Sequence, residues 1–162
     1  MSDNVSDNQY QKVMFKLEKD SDGYPPDDWE SIWAYETSTG QYCVDNIPFF
    51  VRGLSLGDIV SVDRKGNELH FKDVISPSGH SVLRVVVFDR SRMKELHDDL
   101  AQLGCSTEQS HLPSLLAVDC PPTANLSKVI DFLSKGETND YWSYEEASIR
   151  SPGPGLDDNP TC

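Results

Sequence analysis

The sequence predicts an α+β protein in which a small N-terminal SH3-like β-barrel packs on a C-terminal ferredoxin-like βαββαβ half. Three observations predict it. Between Lys12 and Gly79 the chain offers about five short apolar runs joined by tight turns, with no room for a helix. Beyond Ser76-Pro77-Ser78-Gly79 the pattern becomes strand, helix, strand, strand, helix, strand. The first of those strands, within His80 to Phe88, is nearly continuous and β-branched, as suits a central strand covered on both faces. The expected organisation is a disordered N-terminus over 1–11, a barrel-like half over 12–79, a ferredoxin-like half over 80–149 and a disordered tail over 150–162.

In order, Lys12 to Glu18 alternates, with Val13, Phe15 and Leu17 on one face of a half-buried strand. Asp20 to Asp28 is a loop of residues that break regular structure. Its D-x-D-G fragment lacks the other ligands and terminal glutamate of a calcium loop. Glu30 to Glu36 and Gln41 to Val44 form a hairpin across Ser38-Thr39-Gly40. The stretch from Asp45 to Val60 combines a turn, a short extended run at Ile47 to Val51 and a bend between Gly53 and Gly57. Pro48 keeps it out of a central strand. Asp58 to Val62 and Glu68 to Ile75 pair across Asp63 to Asn67. Phe15, Trp33, Phe50, Ile59, Val62 and Phe71 are the expected barrel core.

In the second half, Asp89 or Ser91 caps a helix whose Met93, Leu96, Leu100 and Leu103 recur at helical spacing, stopped by Gly104. Cys105 to Gln109 and Leu115 to Cys120 are strands. Thr123 or Asn125 opens a second helix with a stripe of Leu126, Val129, Ile130 and Leu133, closed by Gly136. Trp142 to Ala147 is the last strand.

Length and composition narrow the function classes. A chain of 162 residues buries one good core or two small ones. No apolar run approaches the roughly 18 residues of a membrane span, and the polar, acidic start is neither a secretory signal nor a basic transit peptide, so the cytoplasm is the expected compartment. A net charge of −13 disfavours nucleic acid and favours basic partners. Cys43, Cys105, Cys120 and Cys162 show neither a disulfide framework nor paired zinc spacing, and are expected as buried or incidental thiols.

Several blocks occur in a telling order: Lys12-Val13-Met14-Phe15, Gly23-Tyr24-Pro25-Pro26, Ser31-Ile32-Trp33-Ala34, Asp45-Asn46-Ile47-Pro48-Phe49-Phe50, Gly57-Asp58, Ser78-Gly79-His80-Ser81, Leu103-Gly104-Cys105, Leu112-Pro113, Leu116-Ala117-Val118 and Trp142-Ser143-Tyr144-Glu145-Glu146. Together they resemble the bacterial family catalogued as domain of unknown function 4265, over roughly Gln11 to Ile149. The resemblance implies a bacterial, soluble, single-unit protein. It supplies no established activity and no catalytic residue to carry over.

No catalytic constellation is legible. Cys43 or Cys105 with His80 and Asp45 assembles a nucleophile and base only on paper, without an elbow or oxyanion hole. His70, His80, His97 and His111 lie on different elements without metal-ligand spacing. No metal and no cofactor are therefore expected. Asp45, Phe49, Arg52, His80 and Arg84 form a candidate pocket, in which the two arginines offer forked donors to an anion. The competing expectation is that Arg84 pairs with a carboxylate such as Asp45 or Asp73.

Acids mixed with large aromatics are the more usable feature. The candidate partner surface comprises Asp27, Asp28, Trp29 and Glu30, then Asp98 and Asp99, then Tyr141, Trp142, Tyr144, Glu145 and Glu146. Trp and Tyr anchor interfaces, and acidic surfaces speed docking onto basic proteins. Core positions for Trp29 and Trp142 are the alternative. The expected function is non-enzymatic: an acidic protein-binding module, most concretely an immunity protein that neutralises a basic toxin of the nuclease class. A ligand-responsive regulatory or small-molecule-binding module is the alternative. The sequence sets no oligomeric state.

Overall fold

The computed structural model describes residues 10–150; the expected disordered ends at 1–11 and 150–162 fall, but for residues 10, 11 and 150, outside them. It is a mixed α+β structure, mostly strands with two helices. The described residues form two compact units, one of 10–46 and 57–78 and a second of 47–56 and 79–150.

The first unit is a closed barrel of β1 (Tyr10–Lys16), β2 (Trp29–Ser38), β3 (Gln41–Val44), β4 (Ile59–Lys65) and β5 (Glu68–Ser76). Consecutive strands pair antiparallel, and β1 closes on β5 in parallel through Val13 opposite Leu69 and Met14 opposite His70. An odd number of strands in an up-and-down order leaves the first and last running the same way, so the closing seam must be parallel. Val13, Phe15, Ile32, Ala34, Val44, Val60 and Leu69 are buried, and Phe15 stacks on Phe71 at 4.8 Å between ring centroids. Trp33, expected in this core, is instead 45% exposed. Side chains alternate along a strand, and burying Ile32 and Ala34 turns Trp33 outward, under the Lys12 ammonium at 5.1 Å. Cys43, expected as a buried or incidental thiol, is buried but disulfide-bonded.

The second unit is a four-stranded antiparallel sheet of β6 (Ser81–Val87), β7 (Ser106–Gln109), β8 (Leu115–Cys120) and β9 (Trp142–Ser148), in the order β7-β8-β6-β9. Between its strands run α1 (Met93–Gln102), preceded by a 3-10 turn at Arg90–Arg92, and α2 (Leu126–Thr138). Asp89 caps the 3-10 turn, accepting from the Ser91 backbone at 3.0 Å. Asn125 rather than Thr123 caps α2, accepting from Lys128 N at 3.1 Å. Both helices cover one face, where Leu96, Leu100, Val129 and Leu133 meet Leu83, Val85, Val87, Leu116, Val118 and Trp142.

A loop segment, not a helix, covers the other face. Residues 47–56, expected as part of the barrel half, group with this sheet. Ile47 and Phe49 pack on Val82, Ala117 and Ala147. Gly53 N donates to Ala147 O at 3.0 Å, and buried Ser55 and Ser148 share a hydroxyl bond of 2.9 Å. Phe50, expected in the barrel core, is buried in this segment. The strap explains why β6 carries buried side chains on both sides.

Candidate functional site

In the first unit, the loop between β1 and β2 carries Glu18, Asp20, Asp22, Asp27 and Asp28 against a single lysine, Lys19, and Glu30 follows at the start of β2. Its conformation is built rather than slack. Asp20 Oδ1 accepts from the backbone N–H of Asp22 at 2.9 Å and of Tyr24 at 3.0 Å, an Asx-type turn. Lys19 Nζ reaches in to the Pro25 carbonyl at 2.8 Å and to the Asp28 carboxylate at 3.3 Å. Leu17 N donates to Asp28 O at 2.9 Å, which closes the loop onto the strands. This leaves Tyr24 and Trp29 44% and 42% exposed among exposed carboxylates. Trp29 is braced edge-on by the His70 ring at 5.3 Å. Of the predicted partner surface, Asp27, Asp28 and Trp29 therefore stand in solvent together, with Glu30 half-buried beside them.

The other predicted stretches belong to the second unit and differ. Trp142 is 5% exposed and is not a surface anchor. Its ring lies over Gly136, where an added Cβ would come within 2.0 Å of Cζ2. Its Nε1–H donates to Leu133 O at 2.9 Å. Gly136, expected to end the second helix, is accordingly kept inside α2 as the space Trp142 needs. Tyr144 is half-buried, its hydroxyl 3.0 Å from that of Ser134. Tyr141 is half-buried under the Arg92 guanidinium at 3.6 Å. Glu146 is exposed, as is Asp98 on α1, while Asp99 is half-buried.

Glu145 is taken up internally. One of its oxygens accepts from Arg84 at 3.1 Å and the other from Arg52 at 2.8 Å. Arg84, 4% exposed and directly across the ladder from Glu145, also donates to the carbonyls of Pro48 and Val51. The expected partners of Arg84, Asp45 and Asp73, are replaced by Glu145. Of the candidate pocket, Phe49, Arg52, His80 and Arg84 lie in the second unit, where Arg84 clamps the strap, and Asp45 lies in the first, where its charge raises the Tyr10 pKa.

His80 Nδ1 sits 2.8 Å from the Asp119 carboxylate, which is buried at the end of β8. Sequence reasoning missed Asp119, although it is the lone charge in an otherwise apolar strand. Among the described residues no group of three or more His, Cys, Asp and Glu could hold a metal ion, and no helix is long and apolar enough to cross a membrane.

A family model described as Domain of unknown function (DUF4265) matches residues 30–144. Among curated proteins there is no match. A solved structure, described as "Novel crystal structure of a hypothetical protein from Neisseria gonorrhoeae", is 24% identical with a TM-score of 0.76, covering 86% of this chain and 95% of that one. At that identity the likeness shows the fold alone.

Proposed function

From the premise that the chain belongs to the family described as Domain of unknown function (DUF4265), we propose that it acts by binding a basic protein, and most concretely as a cytoplasmic immunity protein that neutralises a toxin of the nuclease class. The observation that carries this reading is the braced acidic loop with Trp29 and Tyr24 presented in it. A large aromatic held in one conformation anchors an interface at low entropic cost, and the surrounding carboxylates steer a cationic partner. The surface is smaller than the sequence suggests, because Trp142 lies in the core and Glu145 pairs with two arginines. We read the first unit as an SH3-like barrel, from its five-strand order and parallel closure, and the second as ferredoxin-like, from its βαββαβ order and β7-β8-β6-β9 sheet. The alternative, a ligand-responsive module with a pocket at Phe49, Arg52, His80 and Arg84, has less support, since the Arg84 guanidinium already serves Glu145 and two carbonyls.

Co-expression with the product of the adjacent gene tests the proposal. The expected result is a complex that weakens steeply with added salt. Trp29→Ala should weaken it roughly thirtyfold, about 2 kcal/mol, and Asp27→Asn with Asp28→Asn should mainly slow association. A complex indifferent both to salt and to all three substitutions would place the interface elsewhere.

A further inference from the structure

Cys105 and Cys120 stand one residue past the last registered pair of the β7–β8 ladder, in which Ser106 faces Asp119. Continuing the antiparallel register sets the two cysteines directly opposite each other. Both are free thiols, and both side chains belong to the apolar cluster on the helix-covered face. Opposed residues in such a ladder have Cα atoms about 4.5–5.5 Å apart, inside the roughly 4.4–6.8 Å that a disulfide spans. The extended register thus brings the two sulfurs within the reach of a disulfide.

We propose that Cys105 and Cys120 are a reversible dithiol–disulfide pair, a modification site at which a small disulfide oxidant crosslinks edge strand β7 to β8. The proximity of the two thiols, with burial, raises the Cys105 pKa, and the proximity of Cys105 lowers that of Cys120, which makes Cys120 the thiol that ionises more readily. The thiolate is the attacking species. Access comes from β7, a four-residue strand bonded to the sheet along one side, because short edge elements open locally at small cost. The Cys120 thiolate attacks one sulfur of oxidised glutathione and expels one glutathione thiolate, which takes up the proton Cys120 has shed. Cys105 loses its proton, attacks the Cys120 sulfur of the mixed disulfide and expels the second glutathione, which takes that proton. Two protein thiols are oxidised by two electrons, and one glutathione disulfide becomes two thiols.

The site has a convenient readout. Trypsin releases residues 95–128 as one peptide, since no lysine or arginine intervenes between Lys94 and Lys128, and it contains Cys105 and Cys120 but neither Cys43 nor Cys162. The full chain is incubated natively with oxidised glutathione, its remaining thiols are alkylated in denaturant, and the digest is weighed without reduction. The expected peptide is lighter by two hydrogens, carries no alkyl group, and reverts to two alkylatable thiols after dithiothreitol. The oxidised protein should melt at a higher temperature than the reduced one. Two alkyl groups, glutathione adducts without the internal bridge, or a link to another cysteine peptide would each overturn the proposal, as would a lower melting temperature on oxidation. Cys105→Ser and Cys120→Ser should each abolish the two-hydrogen loss; its persistence in either refutes the assignment.

Discussion

Trp29 and Trp142 each begin a strand and each have carboxylates nearby in the chain, yet Trp29 is 42% exposed and Trp142 is 5% exposed. The difference lies in what each ring meets. At the start of β2, Trp29 meets the edge of His70, and its acidic neighbours stay in solvent. At the start of β9, Trp142 finds a helix with a glycine at the contact point and a carbonyl for its indole N–H. The acids diverge likewise: Asp28 makes an exposed pair with Lys19, whereas Glu145 is gripped by two arginines, one of them buried. Local composition proposes a surface; the opposing element decides whether one exists.

The sharpest way to break the contrast is Gly136→Ala. A methyl group 2.0 Å from a packed indole must displace it, and overpacking of this severity should cost about 3 kcal/mol. Denaturant unfolding followed by tryptophan fluorescence would show this; a variant as stable as the parent would mean that the glycine is not what seats Trp142. Next in size is Glu145→Ala, which takes from buried Arg84 its carboxylate partner. Losing charged hydrogen bonds of this kind costs about 2 kcal/mol, and hydrogen exchange at Gly53, whose N–H bonds to Ala147 O, should accelerate as the strap loosens. Unchanged exchange there would show that apolar packing alone holds the strap. The smallest effect belongs to Trp29→Ala. It forfeits an edge-on ring contact with His70, so stability should fall by about 1 kcal/mol or less, while partner binding suffers far more. A loss as large as that of Gly136→Ala would make Trp29 structural and remove the contrast.

Much of the backbone is legible in the residues themselves. Gln41 to Val44 and Leu115 to Cys120 occur as strands at the very bounds that alternation and turn residues imply, and Asn125 and Gly104 mark helix ends by ordinary capping chemistry. Pairings distant in sequence are not legible that way. The partner of Arg84 is 61 residues away and depends on the β6–β9 register, which no local pattern encodes. The burial of Trp142 depends on a glycine that reads equally well as a helix stop. The outward Trp33 is a different case, because the pattern does hold it: Ile32 and Ala34 already claim the inward face. Of the candidate surface, the loop with Asp27, Asp28 and Trp29 is readable because its own residues build it.

The strap has a consequence for dissecting the molecule. It leaves the barrel between β3 and β4, covers a sheet formed later in the chain, and returns to complete the barrel. Translation therefore delivers the cover before the surface it protects, and a single cut after Ser78 would hand that cover to the wrong fragment. The orphaned C-terminal piece would present Val82, Ala117 and Ala147 to water and strand a guanidinium without its carbonyls. Two units by geometry are thus one inheritance by covalent order.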